Sequence, residues 1–330
     1  MPRTDTKVLL VCYSNSFHAD LISDNLQKRG VPFCRLNTDS ILKDSNISYA
    51  LEENIFSGEI ISHYESFVLN DFSSIWWFGV ETPSIVSEHT ETHIKNWIAD
   101  ETKTCLTSVL SCLPVFFINH PDKIKLASNK IRQLQTALML GFNIPPTIIT
   151  SNPSKVRHFR DKVGNIIFKT VSHPKRKCGD EYEVVYTSRV SDQDILNNGN
   201  DADIACSLNI FQKEIYKEYE VRATVVGDHV FSTAIFSQQS EMTQVDWRRY
   251  DIKNVPHFSK ELPHDINDMC LSITKYFGLV YNTIDLILDR NGKWWFLEMN
   301  PNGLWAWLEL LTGAPISDSI TNLLIDHIRM

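Results

Sequence analysis

Three oxygen-bearing side chains in one short stretch set the chemistry to look for. In NTIDLILDRNGKWWFLEMNPNG, residues 282–303, two runs of period-2 apolar character flank Asn291-Gly292. That dipeptide favours a two-residue type I′ turn between antiparallel strands. The turn sets Arg290 opposite Lys293, Asp289 opposite Trp294, Ile287 opposite Phe296, Asp285 opposite Glu298 and Thr283 opposite Asn300. Since strand side chains alternate between faces, Asp285, Glu298 and Asn300 emerge on one side. Two directly opposed carboxylates repel. A hard divalent cation removes that objection, and Mg²⁺ is commonly held by one or two carboxylates together with nucleotide phosphates. The competing reading is a solvated hairpin face whose acidic residues happen to align.

Elements upstream must carry whatever this hairpin works on. Residues 7–13 (KVLLVCY) form a near-continuous apolar run, as a buried parallel strand does. A helix over Phe17–Arg29, stopped by Gly30, and a strand at Pro32–Leu36 complete a βαβ opening. The first turn, Tyr13-Ser14-Asn15-Ser16, has no glycine-rich dinucleotide fingerprint. Further strands near 47–51, 59–62, 74–79 and 115–118 and a helix over 89–112 give a small doubly wound domain, residues 1–118.

Asp122 is placed to cap a long helix that ends at Gly141. A strand at Thr147–Thr150, a proline-started helix after Asn152 and a strand over Asn165–Val171 with Lys169 embedded in it follow. A lysine among apolar neighbours ordinarily snorkels outward. The loop SHPKRKCGDEY carries Lys175, Arg176 and Lys177 ahead of Gly179, and Glu183–Thr187 reads as the returning strand. Residues 119–207 form a central unit and 208–330 a C-terminal one. The latter opens with three antiparallel strands, LNIFQKEI, YEVRATVV and HVFSTAIFS, in which Glu220 and Arg222 share a face. The polar stretch SQQSEMTQVDWRRYD reads as a loop or lid. A helix over Pro263–Phe277 precedes the hairpin, and helices near 303–312 and 315–329 close the chain.

Composition narrows the class. With 330 residues, 43% hydrophobic and 22% charged, the chain has the make-up of a globular protein of two or three units. No apolar run approaches the ~20 residues of a membrane span, and the first residues lack the apolar core and cleavage site of a signal peptide. Seven cysteines, an odd number without metal-ligand spacing, imply reduced thiols in a cytoplasmic setting. A net charge of −8 gives general nucleic-acid binding no electrostatic support.

The order Lys130, Lys169, basic loop, Gln212-Lys213-Glu214-Ile215, Glu220, Arg222, then Asp285, Glu298 and Asn300 resembles the ATP-grasp superfamily. Within it the chain resembles the graspetide synthetases, microviridin-type peptide cyclases that form side-chain ester and amide links. The segments that carry this resemblance are 120–150, 211–231, 237–251 and 283–317, with Val-Asp-Trp-Arg-Arg and Asn-Pro-Asn-Gly-x-Trp pointing to the peptide-cyclase branch. It implies an ATP-grasp fold of α/β and α+β parts behind an N-terminal doubly wound, pre-ATP-grasp domain. It further implies that Lys130 and Lys169 contact the phosphates of ATP, with Lys169 also near the adenine. Lys175 and Lys177 lie in the phosphate-covering loop, Gln212 to Ile215 meet the adenine edge, and Glu220 meets the ribose. Asp285, Glu298 and Asn300 hold one or two Mg²⁺ ions, and Arg222 with Arg248 and Arg249 faces the reacting carboxylate or its acyl phosphate.

The partner implied is a ribosomal precursor peptide with a leader and a core of acidic and hydroxyl or lysine residues; nucleic acid and membrane are not implied, and a homodimer is compatible. One departure stands out. Cyclases of this kind often show an aromatic residue followed by an arginine pair and proline, and here the stretch reads Trp76-Trp77-Phe78-Gly79-Val80-Glu81-Thr82-Pro83. The alternative is a RimK-like ATP-grasp ligase that adds a free amino acid to a peptide or protein carboxylate. A nucleotide- or peptide-binding module without catalysis would be marked by a lost metal ligand or phosphate lysine, and none is lost.

Overall fold

The computed structural model describes residues 7–52, 55–62, 66–84, 91–171, 175–178, 181–191, 201–249, 251 and 253–328. Among them no helix is long and apolar enough to cross a membrane. The N-terminal unit is built on strands β1 (Lys7–Cys12), β2 (Phe33–Asn37), β3 (Ser45–Glu52), β4 (Ile55–Ser62), β5 (Ser66–Val68), β6 (Phe72–Trp77) and β7 (Phe116–Ile118). Strands β2-β1-β6-β7 form one parallel sheet, reached from β1 through the helix Phe17–Lys28. The strands expected near 47–51 and 59–62 do not join it: β3, β4 and β5 make a separate antiparallel sheet. Their alternating burial, unlike the wholly buried Val8–Cys12, is the pattern of strands with one wet face.

The central unit holds β8 (Thr147–Thr150), β9 (Ile166–Lys169), β10 (Lys175–Cys178), β11 (Glu181–Val184), β12 (Ser188–Arg189) and β13 (Asn209–Lys213). Its sheet runs β12-β9-β13-β8. The sequence reading grouped β13 with the two strands that follow it; hydrogen bonding puts it between β8 and β9 instead. The basic segment expected as a loop is strand β10, paired antiparallel with β11. Gly179 and the side chains of Lys175 and Lys177 lie outside the described residues. The long helix expected from Asp122 is two helices, Pro121–Ala127 and Lys130–Met139. Asn129 breaks it, because its side chain accepts the Arg132 amide at 3.0 Å and so caps a new helix. The first helix is capped by His120, whose ring accepts the Asp122 amide, so Asp122 sits in the first turn and is not the cap.

The last unit is a five-stranded antiparallel sheet of β14 (Lys217–Val226), β15 (His229–Ile235), β16 (His257–Ser259), β17 (Tyr281–Asp289) and β18 (Trp294–Asn300), in the order β16-β15-β14-β17-β18. The helix His264–Tyr276 buries Ile266, Cys270 and Ile273 in a core shared with β14 and β17. The chain then returns to its beginning. Ile316, Ile320 and Leu324 of the closing helix Ile316–Asp326 share one core with Val8, Leu10, Ile22 and Trp76 of the first unit. Ser74 Oγ donates to the Leu324 carbonyl at 3.0 Å within it.

Candidate active site

The hairpin β17–β18 differs from expectation at its tip and agrees at its functional end. The loop has three residues, not two. The Asp289 amide donates to the Lys293 carbonyl (2.9 Å), the Gly292 amide donates to the Asp289 carbonyl (3.0 Å), and Gly292 has φ +78°. This is a type I turn closed by a left-handed residue. Asp289 imposes it: its carboxylate accepts the Asn291 and Lys293 amides at 2.9 Å each and Trp295 Nε1 at 2.8 Å. The pairs therefore run Leu288–Trp294, Ile287–Trp295 and Leu286–Phe296, one residue off those expected for Ile287 and Asp289. An irregularity between Leu286 and Asp285 takes up the extra residue at Leu297, and Asp285–Glu298 and Thr283–Asn300 are paired as expected. Bulges of this kind commonly re-aim side chains beside active sites.

Above this end of the hairpin lies a cleft between the β9/β13 sheet and the β14/β17/β18 sheet. Lys130, Lys169, Lys213, Glu214, Ile215, Glu220, Arg248, Asp285 and Glu298, all singled out in the sequence, line it together. Lys130 arrives at the first position of its helix, where Nζ sits 3.4 Å from Glu298 and donates to the Thr170 carbonyl at 2.9 Å. Gln133 of the same helix holds β18 by its free edge, its amide bonding both the carbonyl and the amide of Met299.

The two carboxylates are each balanced by cations from elsewhere. Arg222 pairs directly across the sheet with Asp285; its Nη1 donates to both carboxylate oxygens, at 2.9 and 3.1 Å. Its Nη2 donates to Thr283 Oγ1 at 2.9 Å, and the guanidinium lies over the Trp247 ring. Burial pushes the Asp285 carboxyl up to about 6, restrained by Arg222 and aided by Glu298. For Glu298 burial acts in the same direction, but Lys130, Lys169 and Arg248 outweigh it and hold the group below its usual value. Burial lowers the Lys169 ammonium, with Glu298 opposing and Lys130 and Arg248 adding to the effect.

The residues expected on the adenine side are held as tightly. Gln212 is buried beneath the cleft, donating to Thr147 Oγ1 at 2.9 Å with its Oε1 unpartnered. The Lys213 and Glu214 amides are bonded to the carbonyls of Pro146 and Asn165. Glu214 Oε1 accepts Arg189 Nε at 2.8 Å. Glu220 accepts Lys217 Nζ at 2.5 Å and Ser237 Oγ at 2.8 Å.

Of the remaining expected residues, Arg222 is bonded to Asp285, Asn300 is paired with Thr283 and is not among the cleft-lining residues, and Arg249 is exposed over the Tyr186 ring. The Trp76-Trp77-Phe78 stretch is buried, with Phe78 stacked on Trp76. Sequence reasoning missed Lys217, Thr283, Asp246 and Gly303. A Cβ on Gly303 would lie 1.8 Å from Thr283 Oγ1 and 2.8 Å from Arg222 Nη2, so only glycine lets the chain pass the Arg222 head group. The Asn-Pro-Asn-Gly run was its one sequence signal.

The donor set suits a hard cation. Asp285 and Glu298 offer carboxylate oxygens side by side, and among the described residues there is no cluster of three or more His, Cys, Asp or Glu to hold a metal alone. The two carboxylates leave coordination positions for further oxygens and water, as Mg²⁺ requires.

Residues 7–125 match the family model of the MvdD pre-ATP grasp domain. Among solved structures the chain is similar to a RiPP-associated ATP-grasp ligase of Chryseobacterium gregarium in complex with ADP and a leader and core peptide, with 26% identity and TM-score 0.90 over 97% of each chain. It is also similar to macrocyclase MdnC of Microcystis aeruginosa MRC, bound with precursor peptide MdnA, with 27% identity and TM-score 0.86 over 97% of this chain and 100% of that one. Macrocyclase MdnB of the same organism follows with 25% identity and TM-score 0.78, over 97% and 99%. No curated protein matches the chain.

Proposed function

We propose that the chain is a peptide macrocyclase of the graspetide-synthetase type, the RiPP-associated branch of the ADP-forming ATP-grasp ligases; the pre-ATP-grasp match over residues 7–125 and the likeness to a RiPP-associated ATP-grasp ligase and to macrocyclase MdnC support this reading. A Glu or Asp side chain of a ribosomally made precursor attacks the γ-phosphate of ATP. An acyl phosphate forms and ADP leaves. A Ser or Thr hydroxyl, or a Lys amine, of the same peptide then attacks the acyl carbon, its proton is lost and inorganic phosphate departs, so each ester or amide link removes one water overall. The first step exchanges a poor leaving group for a good one.

The observation that carries this reading is the convergence of Lys130, Lys169, Glu220, Arg248, Asp285 and Glu298 on one cleft. Phosphoryl transfer asks a protein mainly for positioning and charge neutralisation. Lys130 and Lys169 would hold the phosphates, and Glu220 the ribose. With the amides of Lys213 and Glu214 already bonded, the Ile215 amide would serve the adenine edge. Asp285, Glu298 and Asn300 would hold one or two Mg²⁺ ions, which when bound neutralise phosphate charge. Arg222, tied to Asp285 and Thr283, would fix the metal-side carboxylate, while Arg248 faces the reacting groups. The β10–β11 hairpin, with Lys175 and Lys177, would cover the phosphates.

Incubation with ATP, Mg²⁺ and a short peptide encoded beside the gene should release ADP and lower the peptide by one water mass per link. A peptide heavier by an amino-acid residue would instead establish the amino-acid ligase. AMP release or unchanged mass would refute the macrocyclase.

A further inference from the structure

The polar segment between β15 and β16 crosses the cleft, and one buried carboxylate holds it there. Asp246 is 4% exposed. Its Oδ1 accepts the Arg248 amide at 3.0 Å and Arg248 Nε at 2.8 Å; its Oδ2 accepts Arg248 Nη2 at 2.6 Å and the Thr187 amide at 3.0 Å. These four donors occupy both oxygens, so the group is spent on the protein and not on a ligand. Thr187 immediately precedes β12, on the opposite wall of the cleft from β17 and β18. The Val245 carbonyl, one residue earlier, accepts Lys217 Nζ at 3.3 Å, which ties the same segment to the Glu220 end.

The consequence falls on Arg248. A free arginine side chain carries on the order of 2 kcal/mol of rotamer entropy. Here Nε and Nη2 are pinned by a two-oxygen fork, which fixes the guanidinium plane. Nη1 is the corner left facing the cleft, 3.7 Å from Glu298 Oε1. We propose that Asp246 is a positioning residue: it orients Arg248 toward Glu298 and latches the segment to Thr187 on the facing sheet. This rests on the reading that Arg248 and Glu298 serve phosphoryl transfer. Neither task needs Asp246 to touch substrate.

The test is Asp246→Asn, which keeps the shape but replaces one acceptor oxygen by a donor, so the two donors that oxygen serves lose their partner: the Arg248 amide and Nε, or Nη2 and the Thr187 amide. Two measurements follow. Amide hydrogen exchange of Asp246→Ala, which removes both oxygens, should show faster exchange at Thr187 while the β14 and β17 amides keep their protection. In a double-mutant cycle on ADP release, Asp246→Asn and Arg248→Ala should each lower kcat by about tenfold or more, and their combination should fall within about twofold of Arg248→Ala alone. If Asp246→Asn does not fold, Asp246→Glu, which keeps the charge but moves it by one methylene, runs in the same cycle. Unchanged protection at Thr187, or effects that multiply, would overturn the assignment. Should the wild-type chain release no ADP, the functional reading falls while exchange at Thr187 still decides the latch.

Discussion

Acidification should loosen the junction behind the cleft through a single histidine. His18, on the first helix, is buried, and its Nε2 accepts the amides of Trp305 (3.1 Å) and Ala306 (3.2 Å) at the start of the helix Ala306–Thr312. It can do this only as the neutral ring with the proton on Nδ1. Burial pushes its pKa down to about 4 from an ordinary 6.5. The unfolded chain takes up a proton near 6.5 that the folded chain refuses until about 4, so stability is complete above that window and is lost as pH falls through it. The full effect is roughly 3 kcal/mol, of which about 2 kcal/mol is lost between pH 7 and pH 5.

Asp285 acts with the opposite sign over an overlapping range: its raised pKa makes the ionised group a cost that acid relieves. Glu298 and Asp246, both lowered, lose their contributions only as pH falls through and below the ordinary carboxylate range. The net pH profile of the wild type therefore mixes these groups, and the informative quantity is a difference. His18→Gln places an amide oxygen where Nε2 lies, accepts the same two amides and does not titrate. Urea unfolding of both proteins at pH 7 and pH 5 should show the wild type losing about 2 kcal/mol more than the variant. Parallel profiles would mean that His18 does not carry the cap as a neutral acceptor.

Removing Arg222 should strand a charge. Arg222→Met leaves Asp285 buried without its partner and should cost about 3–5 kcal/mol in urea unfolding, most of it recovered in Arg222→Met/Asp285→Leu; a loss under about 1 kcal/mol would show that the pair is solvated. Two glycines should separate close approach from backbone conformation. Gly303→Ala forces a methyl into Thr283 and Arg222 and should lower ADP release by about 10²-fold. Gly292→Ala meets nothing within 4 Å but sits at φ +78°, so it should cost about 1–2 kcal/mol of stability with turnover unchanged. Equal effects of the two on turnover would refute the assignment of Gly303.

Much of the cleft was legible because its residues break local rules. Lys169 inside NIIFKTV and Asp285 inside TIDLIL are charges in apolar strands, which a fold tolerates at a cost and a ligand site requires. The carboxylate pairing was also legible, but through two offsets that cancel. The turn is one residue longer than Asn-Gly suggests because Asp289 captures the loop amides, and Leu297 absorbs the difference. Strand β13 was misgrouped because sequential strands usually pair; here residues 214–216 carry the chain from one sheet to the other. Asp122 looked like the cap of one long helix; His120 caps the first helix instead, and Asn129, seven residues on, caps a second.

What spacing could not reveal is which groups answer one another. Arg222 reads from sequence as a cation awaiting a substrate, yet it lies directly across the sheet from Asp285, 63 residues away in the chain. The same holds for the loop after the paired carboxylates. Asn119 Nδ2 donates to the Pro301 carbonyl at 3.0 Å while its Oδ1 accepts the Val280 and Tyr281 amides; Tyr281 donates from its hydroxyl to the Gly303 carbonyl; His18 caps the helix that follows. Side chains from the start, middle and end of the chain thus pin Pro301, Gly303, Trp305 and Ala306, and Gly303 transmits their position to Arg222 by contact. A displacement of that loop has no soft direction in which to dissipate, since its far side is the core shared by the first strand and the last helix. The placement of Asp285 is therefore a property of the whole chain's closure, and substitutions at His18 or Asn119, far from the cleft in sequence, should reach the reaction through Arg222 before they reach it through any ligand.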